Sequence, residues 1–207
     1  MDVNTLKSVY FIGAGGIGMS ALVRYFLSKG KKVGGYDRTP SELTEKLIEE
    51  GAAIHYEEST ELITDAFRDP ATLVVYTPAV PDTHKEFTYF RENGFEIHKR
   101  SQVLGMLTHA GKGLCVAGTH GKTTTSTMTA HLLHQSHVGC NAFLGGISKN
   151  YGTNLLLSDS SEYMVIEADE FDRSFHWLSP YISVITATDP DHLDIYGTKE
   201  AYLDSFR

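Results

Sequence analysis

The sequence predicts an α/β protein in which two strand–loop–helix units follow one another, each on a parallel sheet. Three observations predict it. Glycine-rich loops follow short apolar runs at two places, Gly13 to Gly18 and Gly118 to Gly121. A helical stretch follows each loop, the first with apolar residues at helical spacing. Strand-length apolar runs alternate with polar helical stretches along the chain, the pattern of parallel strands joined by helical crossovers.

Taken in order, Val9 to Ile12 reads as a buried strand and Gly13 to Gly18 as a turn. Ile17 to Ser28 is predicted helical, with Met19, Leu22, Val23, Phe26 and Leu27 on one face. A second strand, Lys32 to Tyr36, ends at Asp37. The next helix is expected to start with Thr39 as N-cap, Pro40 at the first helical position and Glu42 closing a capping box, and to stop at Gly51. Strands follow at Leu73 to Tyr76, Phe95 to His98 and Leu114 to Ala117, with helical stretches at Lys85 to Asn93 and Ser101 to Thr108. The connector His109 to Gly113 precedes the second loop, so a domain boundary is expected between Ser101 and Gly111. Beyond it come a helix from Lys122 to His134, a glycine-rich stretch around Gly145 and Gly146, and strands at Tyr163 to Ile166 and Tyr181 to Thr186. The last segment, Thr198 to Arg207, opens on a cap-like threonine and shows no C-cap signal. The expectation is a chain cut inside its second domain.

Composition narrows the function. At 207 residues the chain suits one large or two small domains of roughly 150 residues or fewer. Its 41% hydrophobic and 21% charged content is that of a folded globular protein. A net charge of −8 disfavours a general attraction to nucleic acid or to an anionic membrane, so a phosphate ligand must be held locally. Cys115 and Cys140 lack CxxC spacing, which argues against a disulfide framework or a zinc site and fits a reducing cytoplasm. Met1 is followed by Asp2, and the first apolar run is too short for an export or membrane segment.

Four motifs carry chemistry. Gly13-Ala14-Gly15-Gly16-Ile17-Gly18 is a GxGxxG pattern between strand and helix, where backbone N–H groups can approach a diphosphate at the helix's positive end. Asp37, at the end of the second strand, is placed to accept from a ribose hydroxyl and could equally be a turn residue. Gly118-Thr119-His120-Gly121-Lys122-Thr123-Thr124 has the anatomy of a phosphate loop: Lys122 to neutralise phosphates, Thr123 to place a hydroxyl on Mg²⁺. It departs from GxxxxGK[ST] in having Val116 where a glycine is usual. Glu167-Ala168-Asp169-Glu170, with Asp172 beyond, puts carboxylates at the carboxyl end of a strand, where α/β proteins bind ligands. Asp191-His192-Leu193-Asp194 repeats that placement after the next strand. His131 and His134, three apart on a helix, lack a third partner for a metal.

In this order the four motifs, GAGGIGMS, GTHGKTTT, EADE and DHLD, resemble the Mur ligases, and the resemblance spans nearly the whole chain. It implies a Rossmann-like parallel-sheet domain over residues 1–108 that holds a UDP-sugar, and over 109–207 an incomplete P-loop α/β ATPase domain, with a carboxy-terminal domain absent. It implies an ATP- and Mg²⁺-dependent ligase that joins L-alanine to the lactyl carboxylate of UDP-N-acetylmuramate through an acyl phosphate, for peptidoglycan precursor synthesis. By resemblance, Gly118 to Thr124 hold ATP, Lys122, Glu167 and His192 are catalytic, Thr123 and Glu167 bind Mg²⁺, and His192 joins Glu167 at a second metal. Gly13, Ala14, Gly15, Gly16, Ile17 and Gly18 would cradle the UDP diphosphate, with Asp37 and Thr77, Pro78 and Ala79 at the uridine. Where the family often has asparagine before its acidic stretch, this chain has Ala187. Complete ligase activity is not expected from this length. The competing readings are a non-catalytic UDP-sugar or nucleotide-binding module and, on GxGxxG and Asp37 alone, an NAD-dependent oxidoreductase.

Overall fold

The structure is a computed structural model that describes residues 3–207; Met1, Asp2 and the side chain of Asp172 lie outside the described residues. The chain divides into two compact units, Met1–Val103 and Leu104–Arg207.

In the first unit, β1 (Ser8–Ile12) is buried along its whole length, as a continuous apolar run in a parallel sheet must be. Helix α1 (Ile17–Ser28) turns Met19, Leu22, Val23 and Phe26 inward, and β2 (Lys32–Tyr36) pairs with β1 in parallel. Then come α2 (Glu42–Glu49), β3 (Ala53–His55), β4 (Leu73–Tyr76), α3 (Lys85–Glu92) and β5 (Ile97–Lys99). The strand order is β3-β2-β1-β4-β5 with every pairing parallel. The order reverses between β1 and β4, which opens the crevice where doubly wound sheets bind ligands. Tyr10, Ile12, Val74, Phe87 and Phe90 form the core on one face.

Two local expectations are corrected here. The N-cap of α2 is Ser41 rather than Thr39: Ser41 Oγ accepts from Thr44 N at 3.2 Å, and Thr44 Oγ1 accepts from Ser41 N at 2.9 Å. Thr44 closes the box three residues on, so Glu42 does not, while Thr39 N instead donates to Asp37 Oδ1. Strand β3 and the 3-10 turns Thr60–Leu62 and Asp65–Phe67 had no periodic signal, being three residues each.

Helix α4 (Arg100–Ala110) carries the chain across the division into β6 (Lys112–Ala117). The second unit continues with α5 (Lys122–His134), β7 (Asn141–Ser148), β8 (Thr153–Leu156), β9 (Tyr163–Glu167), β10 (Ile182–Ile185), α6 (Leu193–Tyr196) and α7 (Lys199–Asp204). The sheet order is β10-β6-β9-β7-β8. Pairing is parallel except between β7 and β8, an antiparallel hairpin with an irregular register. The glycine-rich stretch around Gly145 and Gly146 lies within strand β7. Among the described residues, no helix is long and apolar enough to cross a membrane.

Candidate functional site

In the first unit the loop after β1 is folded back onto its own sheet. Gly13 has φ +90°, a conformation open to glycine, and its N–H donates to Tyr36 O at 2.8 Å. Ala14 N donates to the same carbonyl at 3.0 Å, and Ala14 is buried. Gly15 N donates to Asp37 Oδ2 at 2.6 Å. Both Asp37 oxygens thus accept from backbone, and the acid clamps the loop from the end of β2. Gly16 caps α1 with no side-chain hydrogen bond and no acid in the first turn, so the helix's positive end stays uncompensated. Gly16 and Ile17 are exposed.

Thr77, after β4, lies against this loop: a Cβ built on Gly13 would fall 2.5 Å from Thr77 Cγ2, and Thr77 N donates to Ile12 O at 3.3 Å. Pro78 and Ala79 are exposed beside it. A residue that sequence reasoning passed over completes the group, for the Arg100 guanidinium sits over Gly18, its Nη1 2.8 Å from where a Cβ would be. A lone arginine at the start of a helical stretch carries no pattern that could have marked it.

The loop of the second unit is tighter. Gly118 has φ +121°, and a Cβ there would lie 2.7 Å from Ala187 O. Ala187 serves through its backbone, accepting from Thr119 N at 2.9 Å. Gly121 caps α5 at φ +83°, again with no side-chain cap and no acid in the first turn. Lys122 Nζ donates to Gly118 O at 2.8 Å and pairs with Glu170 Oε1 at 2.8 Å. Thr123 Oγ1 donates to Glu167 Oε1 at 3.0 Å, and Gly145 N donates to Glu167 Oε2 at 3.1 Å. A Cβ on Gly145 would lie 2.5 Å from Glu167 Cδ, so a larger residue there would push the carboxylate aside. Thr119 Oγ1 bridges Asp189 O at 2.6 Å and Tyr202 Oη at 2.7 Å. Val116 belongs to β6, so the loop proper starts at Gly118. His120 and Thr124 are exposed on it, and a groove of about 520 Å³ opens beside Thr123 and Thr124 between α5 and the β7–β8 turn.

His192 stands apart from this cluster. It has φ +51°, its N–H donates to Asp191 Oδ1 at 2.8 Å, and its ring meets Phe171 edge-on at 5.3 Å. Among the described residues, no group of three or more histidine, cysteine or acidic side chains is placed to hold a metal ion. His131 and His134 both turn to Tyr151. Glu170 was visible only as one acid in a run, and nothing in spacing distinguished its contact with Lys122. Both thiols are free and buried, and burial pushes each up to about 11.

The models of two protein families cover the chain, "Mur ligase family, catalytic domain" over residues 8–112 and "Mur ligase middle domain" over 116–207. The chain belongs to the Mur ligase family. A Mur ligase of Phocaeicola vulgatus, named UDP-N-acetylmuramate--L-alanine ligase, is 99% identical over all of this chain. The ligase of that name from Parabacteroides distasonis is 70% identical, again over the whole chain. The solved UDP-N-acetylmuramate-alanine ligase MurC of Thermotoga maritima superposes with a TM-score of 0.82 at 33% identity, covering 96% of this chain and 46% of that one. The chain spans about half the length of the curated relatives it matches, 45% of each of the first two.

Proposed function

We propose that this chain is the UDP-sugar- and ATP-binding part of a ligase that joins L-alanine to the lactyl carboxylate of UDP-N-acetylmuramate, in peptidoglycan precursor synthesis. The observation that carries the reading is the arrangement at the start of α5, where Lys122 and Thr123 face two carboxylates at the end of β9. The relatives' names supply the substrates.

The donor set at α5 fits Mg²⁺ and a triphosphate. Thr123 and Glu167 offer hard oxygen ligands, and Mg²⁺ is held by one or two protein ligands together with substrate phosphates rather than by a full protein cage. Thr123 and Glu167 would hold the ion, which offsets negative charge between phosphate and carboxylate. Lys122 neutralises the phosphates, and the loop N–H groups from His120 to Thr124 receive their oxygens at the helix's positive end, while Thr119 N–H holds the loop to Ala187 O. His192 would share a second cation with Glu167, but its ring packs against Phe171 and, among the described residues, no metal-holding group of three includes it. His192 is therefore assigned second to Thr123 and Glu167.

In the first unit the uncapped start of α1 and the Arg100 guanidinium would take the UDP diphosphate on Gly13 to Gly18. Asp37 holds that loop in shape, and Thr77 to Ala79 flank the uridine side. ATP as co-substrate and two buried free thiols suit a bacterial cytoplasm.

Calorimetric titration tests the reading with UDP-N-acetylmuramate, Mg-ATP and NADH in turn. Gly15→Val, whose side chain would meet Thr44 and Asp37, is expected to abolish binding of the sugar nucleotide and leave Mg-ATP bound. Lys122→Ala is expected to do the reverse. Binding of NADH by a folded chain that ignores UDP-N-acetylmuramate would overturn the reading in favour of a dehydrogenase.

A further inference from the structure

Glu170, paired with Lys122 at the start of α5, is left without a task by the reading above. Its side chain is 1% exposed. Oε1 accepts from Lys122 Nζ at 2.8 Å, while Oε2 is buried with no hydrogen-bond partner. Its position is fixed from behind, since its backbone carbonyl accepts from Tyr196 Oη at 2.5 Å. Tyr196 packs edge-on against Tyr202 at 5.0 Å, and Tyr202 Oη reaches Thr119 in the loop itself.

A carboxylate with so little water and one bare oxygen draws its stabilisation chiefly from its cation. The cation is correspondingly occupied: an ammonium has three donors, and Lys122 directs two of them to Gly118 O and Glu170. A phosphate arriving at Lys122 brings a second anion to the same ammonium in a poorly hydrated place, where like charges repel strongly.

We propose that Glu170 is an internal occupant of Lys122, holding the lysine on the empty loop and competing with the incoming phosphate for it. Glu170 is then a positioning residue that trades phosphate affinity for a pre-formed loop. The proposal rests on the reading of Gly118 to Thr124 as a phosphate loop.

The test titrates the 207-residue chain and its Glu170→Gln, Glu170→Asp and Lys122→Ala variants with magnesium pyrophosphate and Mg-ATP by calorimetry. Far-ultraviolet circular dichroism checks each fold. Glu170→Gln keeps the shape and removes the charge, and it is expected to bind both phosphate ligands about tenfold more tightly. Glu170→Asp withdraws the carboxylate from Nζ and gives a smaller gain of the same sign, which serves as the reading if the glutamine variant does not fold. The gain should match for pyrophosphate and ATP, because pyrophosphate has no base or sugar through which a merely structural change could act. Unchanged or weaker phosphate binding in Glu170→Gln, with binding lost in Lys122→Ala, would overturn the competition and leave the phosphate loop standing. Absence of phosphate binding in folded wild-type chain and in both Glu170 variants would overturn the proposal and the reading beneath it.

Discussion

Single residues in this chain act through their charge state and their neighbours. Lys122 is the partner of a carboxylate that is 1% exposed, so removing it strands a buried charge. Lys122→Ala is expected to lower stability by about 3 kcal/mol, and Glu170→Gln in the same chain to restore much of it, a coupling that urea denaturation of the two single variants and the double variant measures. Glu86 makes a different prediction. Its Oε2 stands 2.7 Å from Tyr10 Oη, which stands 2.8 Å from His55 Nε2, and His55 Nδ1 faces Glu57 O at 2.9 Å. Tyr10 Oη donates to Glu86 Oε2, and Glu86 Oε1 accepts from Ser59 N at 3.3 Å. Burial pushes the Glu86 carboxyl up to about 7 from 4.5, whereas burial pushes His55 and His84 down, so both rings favour the neutral form. A raised pKa means that the folded state holds the proton more firmly. The stability this group confers is complete below about 4.5 and is lost as pH rises through about 7. Denaturation midpoints across that window should fall for the wild type and stay flatter for Glu86→Gln. An equal slope in both would show that the carboxyl titrates normally.

At the scale of elements, caps and loop glycines decide where helices begin. Helix α2 starts on the reciprocal bond pair of Ser41 and Thr44, and Ser41→Ala is expected to cost about 1 kcal/mol in thermal or denaturant unfolding. Helices α1 and α5 are left uncapped at glycine, which costs helix stability and leaves a positive end open. Gly118→Ala should disorganise the second loop, both because φ +121° is strained for alanine and because the new methyl would press on Ala187 O and Thr186. Its signature would be lost Mg-ATP binding with retained UDP-N-acetylmuramate binding. Elements with a clear local signal were legible in the sequence: α1 lies where apolar spacing and its preceding glycines put it, and α5 where the Gly121-Lys122-Thr123 motif opens it. Strand β3 was not, because three residues give no period, and β7 was not assigned because Gly145 and Gly146 interrupt its apolar run.

The 207 residues fold as two units, each with its own sheet and its own glycine loop. The second sheet ends at β10, where Ile182, Val184 and Ile185 are 47%, 38% and 47% exposed on a strand paired on one side. An apolar edge of this kind templates association. The 207-residue chain is expected to self-associate with rising concentration in light scattering, and Val184→Lys to suppress it. Scattering that is independent of concentration in the wild type would contradict this. The net charge of −8 opposes association only in a general way, since repulsion spread over the surface is screened within about 10 Å at ordinary salt.

The sequence by itself determined the α/β class, the two glycine loops and the family. These follow from local signals, namely apolar period, glycine spacing and motif order, which are written in consecutive residues. Only the tertiary structure decided which groups meet. It turned Asp37 inward to clamp Gly15, put Arg100 over Gly18, set Glu170 on Lys122, and sent His192 to Phe171. Each of these depends on the pairing of strands distant in sequence, such as β6 with β9 and with β10, whose register sets side chains side by side that no local pattern relates.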